Sequence, residues 1–385
     1  MIISLAKRAG QTQEYYFSVK LAEVRKLLAE GHDVINIGIG NPDMMPSDNT
    51  LSALEKSAGQ ALSHGYQSYK GTPALRESIA RFYQKTYGVA LNPETEILPL
   101  MGSKEGITHI SLAFLDEGDE VLVPELGYPA YRAVSQMVGA TVRTYPLLEN
   151  AGWQPDWEAI ENLVSDKTKI MWLNYPHMPT GAPATRELFE RAVAFAKKHK
   201  ILLCHDNPYS LVLNRRPPIS LLSVEGANEV ALEMNSMSKS HNMAGWRVGW
   251  VMGAKPYIDA VLTIKSNVDS GMFKPVMDAA AEALNNSDDW HAARNAVYHD
   301  RLEAARAFLD ALHCTYTDDQ EGMFLWAKLP DSVASAEKLV DDLLYQKHVF
   351  IAPGFIFGPK GERYIRVSLC MPKERIWEAV KRVNV

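Results

Sequence analysis

Between about residues 51 and 264 the sequence alternates short apolar runs with longer amphipathic ones, and this alternation limits the possible folds more than any other feature. The spacing predicts strands over 96–101, 120–123, 141–145, 170–174, 201–205, 230–235 and 248–252, with helical patterns between most of them, as at 186–199. Strands and helices in alternation form a largely parallel, doubly wound sheet, so an α/β fold is expected. Ligands in such a sheet sit beyond the carboxyl ends of the strands. The residues just after each apolar run are therefore the ones to inspect.

The flanks read differently. Val19, Leu21, Val24, Leu27 and Leu28 follow helical spacing within an N-terminal arm. A short strand at 33–37 then runs into a tight turn containing Gly38, Gly40 and Pro42. Beyond residue 270 a long helical pattern, 275–308, leads to short strands near 324–328, 349–351 and 364–369 and to a closing helix at 372–385. This predicts a smaller α+β domain. The expected division is 1–45 as an N-terminal arm with part of the small domain, 46–270 as the large ligand-binding domain and 271–385 as the small C-terminal domain. A chain of 385 residues is long enough for two cores.

Charge and cysteine usage narrow the function. The net charge is -6, from 40 basic and 46 acidic residues, and no basic stripe stands out, so nucleic acid is not an expected partner. Three widely spaced cysteines imply neither a disulfide framework nor a metal site, which fits a reducing cytoplasm. No apolar run is long enough to span a bilayer and the first residues do not resemble a signal peptide, so a cytoplasmic location without membrane contact is expected.

Several short motifs fall where the strands end. Ser236-Met237-Ser238-Lys239-Ser240 follows an apolar run, and Arg247 comes eight residues after Lys239, within Gly245-Trp246-Arg247-Val248-Gly249-Trp250. A lysine there is by itself an ordinary surface residue. Together the two suit a ligand carrying an aldehyde and a phosphate, because an amine can bond an aldehyde covalently and a guanidinium forks onto phosphate. Gly102, Ser103 and Lys104 join a strand to a helix, where backbone N–H groups bind phosphate well. His205-Asp206-Asn207-Pro208-Tyr209 ends another strand and, alone, is only a capped turn. Gly38-Ile39-Gly40 lacks the third glycine of a dinucleotide loop, since Asp43 stands there, which rejects a nicotinamide dehydrogenase.

Taken together, Ser236-x-x-Lys239 and the Gly-Trp-Arg-Val-Gly-Trp run resemble the signature of class I/II aminotransferases, and the other motifs agree along nearly the whole chain. The resemblance implies the fold-type-I architecture of pyridoxal-phosphate (PLP) enzymes: a mostly parallel seven-stranded sheet in a large domain, plus a smaller α+β domain. It implies PLP as cofactor and Lys239 as the residue that holds it and moves the substrate's proton. Asp206 matches the residue that pairs with the ring nitrogen, Tyr209 the donor to the ring oxygen and Tyr128 the aromatic stacked on the ring. Gly102, Ser103, Lys104, Ser236 and Arg247 match the phosphate cup. Arg366 matches the fork for the substrate α-carboxylate, and Gly40 a backbone position near it. Tyr66 matches a tyrosine that reaches the neighbouring subunit's phosphate, which implies a homodimer with shared active sites.

One position departs from the family. In Asn174-Tyr175-Pro176-His177-Met178-Pro179-Thr180-Gly181 the asparagine expected before Pro-Thr-Gly is Met178, which cannot donate a hydrogen bond to the ring oxygen. Tyr209 is then the main donor there, and carboxylate binding rests more heavily on Arg366, unless His177 or Asn174 compensates. The runs at 102–107, 265–271 and 352–358 are most similar to LL-diaminopimelate aminotransferases. That resemblance implies LL-diaminopimelate and 2-oxoglutarate as a substrate pair, with alanine, methionine or aromatic aminotransfer, or a PLP-dependent C–S lyase, as the alternatives.

Overall fold

The computed structural model describes residues 3–6, 8, 9 and 16–384, so part of the expected N-terminal arm lies outside the described residues. Seven strands form the main sheet: β1 Ile97–Leu100, β2 Glu120–Pro124, β3 Thr141–Tyr145, β4 Thr168–Leu173, β5 Leu202–Asp206, β6 Ala231–Ser236 and β7 Gly249–Gly253. Their order across the sheet is β1-β7-β6-β5-β4-β2-β3. Strands β1, β2, β5, β6 and β7 are buried along their whole length; β1, β2 and β7 read as nearly continuous apolar runs, while β5 and β6 carry buried polar residues toward their ends. Strand β3, at one edge, alternates exposed and half-buried residues instead.

All pairings from β3 through β6 are parallel, whereas β7 runs antiparallel to both β6 and β1. The start of β7 therefore lies at the same edge as the carboxyl ends of its parallel neighbours. This places the segment before β7, with Arg247, beside the segment after β6, with Lys239.

A second, three-stranded antiparallel sheet has the order Phe324–Lys328, Tyr364–Ser368, Ala352–Pro353. The chain's early part joins it, because Ile35–Asn36 pairs in parallel with Val349–Phe350. Asp43, the residue that breaks the dinucleotide pattern, instead receives both guanidinium nitrogens of Arg301, at 2.7 and 2.8 Å. Arg301 also donates to the Leu369 carbonyl, so one buried cation ties the turn after Gly40 to the long helix Asp288–Ala311 and to the end of the small sheet.

Three details differ from the sequence reading. The helical pattern at 275–308 is two helices, Lys274–Ala283 and Asp288–Ala311, because the Ser287 hydroxyl accepts from the Trp290 amide and starts a new helix. In the helix Tyr16–Ala29 the buried positions are Phe17, Lys20 and Val24, while Val19 and Leu28 are exposed. The single strand expected at 349–351 is two short ones, Val349–Phe350 paired with Ile35–Asn36 and Ala352–Pro353 in the three-stranded sheet.

Candidate active site

A cavity of about 340 Å³ opens at the carboxyl edge of the main sheet, and the small sheet closes its far side. The expected residues Ser103, Lys104, Tyr128, Met178, Asp206, Tyr209, Ser236, Lys239, Arg247, Arg366 and Gly40 all line it. Tyr66 does not; it is 93% exposed on the surface of the subunit. A wider cleft of about 1230 Å³ lies alongside and shares Lys104 and Tyr128. It contains neither Lys239 nor Asp206, so the smaller cavity is the chemical one.

Lys239 sits in the single helical turn Met237–Ser240 that leaves β6. Ser236 caps that turn: its hydroxyl accepts from the Ser238 amide at 3.1 Å and donates to the Val248 carbonyl at 3.2 Å. The lysine stem keeps some exposure toward the cavity, and its ammonium donates to the Gly40 carbonyl. Burial pushes the amine down to about 8, with Arg366 and Arg247 adding to the effect and Cys370 opposing it. Roughly one-tenth of such an amine is neutral, and nucleophilic, at pH 7, far more than of an ordinary lysine.

Arg247 adopts a left-handed backbone, φ +57°, uncommon for a bulky residue. Its guanidinium lies so close over Gly102 that a Cβ on that glycine would collide with Nη2. Gly102, also at positive φ, is the N-cap of the helix Ser103–Phe114. A guanidinium, a helix N-terminus and the Ser103 and Ser236 hydroxyls thus surround one corner of the cavity, a donor set that suits a phosphate dianion.

The opposite corner holds Asp206, 4% exposed, at the end of β5. The Tyr131 hydroxyl donates to Oδ2 at 2.9 Å, and Oδ1 is buried with no hydrogen-bond partner among the described residues. Tyr131 is itself stacked on Trp172, with ring centroids 5.1 Å apart and planes 7° apart. Burial pushes the Asp206 carboxyl up to about 6, opposed by the Tyr131 hydrogen bond and by His205. A buried, unpartnered carboxylate oxygen on a residue that lines the cavity fits a cationic N–H donor such as a protonated pyridine ring. Both corners therefore fit PLP.

Between them, the Arg366 guanidinium packs 3.9 Å from the Phe324 ring centroid and 4.6 Å from that of Phe357. One of its nitrogens donates to the Gly38 carbonyl at 2.8 Å, and another lies 3.3 Å from the Met178 sulfur. Gly40 leaves the room that Phe324 needs, since a Cβ there would overlap Phe324 Cζ. Met178 thus fills the asparagine's position with a soft apolar contact to the arginine. Neither neighbour replaces the missing donor. Asn174 donates to the Asp206 carbonyl at 2.7 Å and accepts from the Met178 amide. His177 is engaged by Thr180 and the Leu126 carbonyl. Burial of Tyr209 raises its hydroxyl above the usual range, so it stays protonated and able to donate.

Sequence reasoning missed Tyr131, Phe17 and Phe324. Tyr131 had a signal, standing three residues after Tyr128 on one helix face. The others are recognised only through contacts between distant segments.

The chain matches the family model for aminotransferase class I and II over residues 32–383. An LL-diaminopimelate aminotransferase of Dehalococcoides mccartyi is 40% identical, over 99% of this chain and 98% of the relative. One from Gloeobacter violaceus is 39% identical, over 98% and 97%. Among solved structures, BacF from Bacillus subtilis superimposes with a TM-score of 0.96 at 34% identity, covering 100% of this chain and 98% of that one. A probable N-succinyldiaminopimelate aminotransferase from Thermus thermophilus gives 0.89 at 32%, covering 95% and 99%.

The buried Asp206 yields a test by stability. Its folded-state value, about 6, lies above its ordinary 3.8, so ionising it opposes folding at any pH above that range. In cofactor-stripped protein, Asp206→Asn is expected to melt at a higher temperature than wild type above about pH 6, the gap closing below about pH 4. Wild type melting at or above the variant at about pH 7.5 would show that the carboxylate carries no such cost.

Proposed function

The chain belongs to the class I and II aminotransferases, a family of PLP-dependent enzymes, and on that premise we propose that the cavity at Lys239 is its active site, moving amino groups between an L-amino acid and a 2-oxo acid. The observation that carries the assignment is the pairing of a buried, half-satisfied Asp206 with a lysine amine lowered to about 8 in one cavity. When bound, PLP supplies the electron sink that makes a substrate C–H bond next to nitrogen acidic.

The protein's own groups do the rest. Asp206 Oδ1 takes the ring N–H, and the Tyr209 hydroxyl donates to the ring oxygen. Tyr128 covers a ring face. Gly102, Ser103, Lys104, Ser236 and Arg247 take the phosphate, joined by Tyr66 of a second copy in a homodimer. Arg366 forks onto the substrate α-carboxylate. Lys239 Nζ takes the α-proton and returns a proton, acting as base and then acid. The domain division at 45 and 270 belongs to the same proposal, and is supported by the two separate sheets.

The relatives' names make LL-diaminopimelate the first amino donor to test, and 2-oxoglutarate is the acceptor we pair with it. The lining favours a second reading. Around the cavity stand Phe17, Leu21, Ile39, Met178, Phe324 and Phe357, and among the described lining residues Asp206, already assigned to the cofactor, is the single carboxylate. An apolar or aromatic side chain suits those walls better than a second ammonium group.

Absorbance spectra of the purified holoenzyme, taken before and after glutamate, LL-diaminopimelate, phenylalanine and methionine, test both readings. Conversion to the pyridoxamine spectrum by any of them supports aminotransfer, and the responders name the donor class. A band indifferent to all four, or pyruvate and ammonia as products of a sulfur amino acid, would overturn it. A second experiment addresses Met178. Met178→Asn adds a donor near the ring oxygen and is expected to lower, by about one pH unit, the midpoint at which the holoenzyme's visible band changes. An unmoved midpoint would show that Tyr209 alone sets it.

A further inference from the structure

A buried cluster of charged groups lies behind the phosphate corner and belongs to none of the roles above. On the helix Ser103–Phe114, Glu105 and His109 stand one turn apart, with Glu105 Oε1 3.2 Å from His109 Nε2. Asp269 Oδ2 approaches the same nitrogen at 4.0 Å and receives the Lys265 ammonium at 2.6 Å. The side chains of Lys265 and His109 are each 1% exposed, that of Asp269 6% and that of Glu105 13%. The grouping of two carboxylates and a histidine resembles a metal site, but one of the carboxylates, Asp269, is already paired with the Lys265 ammonium.

The remaining oxygen of Glu105 decides what the cluster does. Glu105 Oε2 accepts from the Met101 backbone N–H at 2.6 Å, so the side chain reaches back past Gly102 to the residue before the cap. Met101 ends on the strand side of the loop and Ser103 begins the helix. The Glu105 bond therefore spans the short loop that carries the phosphate-binding N–H groups. A carboxylate in that turn is favoured by the helix dipole but repelled by a phosphate at the same helix end. Its Oε1 lies 3.2 Å from His109 Nε2 on the buried side of the helix, while Oε2 stays on the Met101 N–H.

We propose that Glu105, through its bond to the Met101 N–H, is a positioning residue for phosphate recognition: it sets the conformation of the Met101–Lys104 loop without touching the ligand. The proposal rests on the reading that the cavity takes PLP. It requires that loss of Glu105 weaken ligands in proportion to their dependence on the phosphate.

The test compares two ligands on wild-type apoenzyme and on Glu105 variants, reading dissociation constants by absorbance or intrinsic fluorescence. One ligand is PLP, the other pyridoxal, which lacks the phosphate. Glu105→Ala is expected to raise the dissociation constant for PLP roughly tenfold, the scale of one hydrogen bond to a charged group, while that for pyridoxal stays within about twofold. Glu105→Gln, whose amide oxygen can still accept from Met101, should recover most of the PLP affinity. If Glu105→Ala does not fold, His109→Leu is read in its place and should give a smaller loss of the same selectivity. Equal weakening of both ligands, or no weakening of either, overturns the positioning role while leaving the PLP reading intact. A wild-type protein that binds neither ligand at Lys239 overturns both.

Discussion

The structure turns on one expensive arrangement: a carboxylate, Asp206, buried at the end of a central strand with a single oxygen satisfied. Burying an ion costs several kcal/mol unless partners compensate. Here the Tyr131 hydroxyl serves Oδ2, and Oδ1 is buried without a partner among the described residues. Tyr131 is stacked flat against Trp172, which holds the donor toward Oδ2. The Asp206 backbone is pinned in turn by Asn174. An open, oriented acceptor is what a ring nitrogen needs if it is to stay protonated, and the folded state maintains it at its own expense.

The other half of the site depends on topology. Because β7 runs antiparallel, the chain leaving β6 and the chain entering β7 meet at one edge of the sheet. Lys239 and Arg247 come from those two segments, and the Arg247 guanidinium rests on the backbone of a third, at Gly102. Amine and phosphate corner are thereby fixed relative to each other by strand pairing rather than by loops. The small sheet supplies the substrate side: Arg366 lies opposite Trp326 and Ala352 in register, and Gly40 admits Phe324 against it.

Much of this was legible in the residues. Most of the main strands were readable to within a residue or two, because strands buried on both faces are continuous apolar runs with little else to mimic them. The helix Arg186–His199 was readable because Thr185 caps its start and three basic residues mark its end. Lys239, Asp206 and Arg247 were legible from motif and position together. The antiparallel sense of β7 was not, since strand direction is set by pairing between distant segments. The break at Ser287 had a signal, the polar run Asn285-Asn286-Ser287-Asp288-Asp289 with its cap and first-turn acids, which apolar spacing alone passes over. Met178 was visible as a departure, yet its contact with Arg366, and the engagement of Asn174 and His177 elsewhere, emerge only in three dimensions. The same holds for the cluster of Glu105, His109, Lys265 and Asp269, whose two halves lie far apart in the chain and share no motif.

The most direct test of the central claim is to reduce the purified holoenzyme with borohydride and locate the modified peptide by mass spectrometry. The account predicts one reduced PLP adduct per chain, on Lys239, and none in Lys239→Ala. An adduct on another lysine, or no adduct in protein shown to be folded and supplied with PLP, would contradict it.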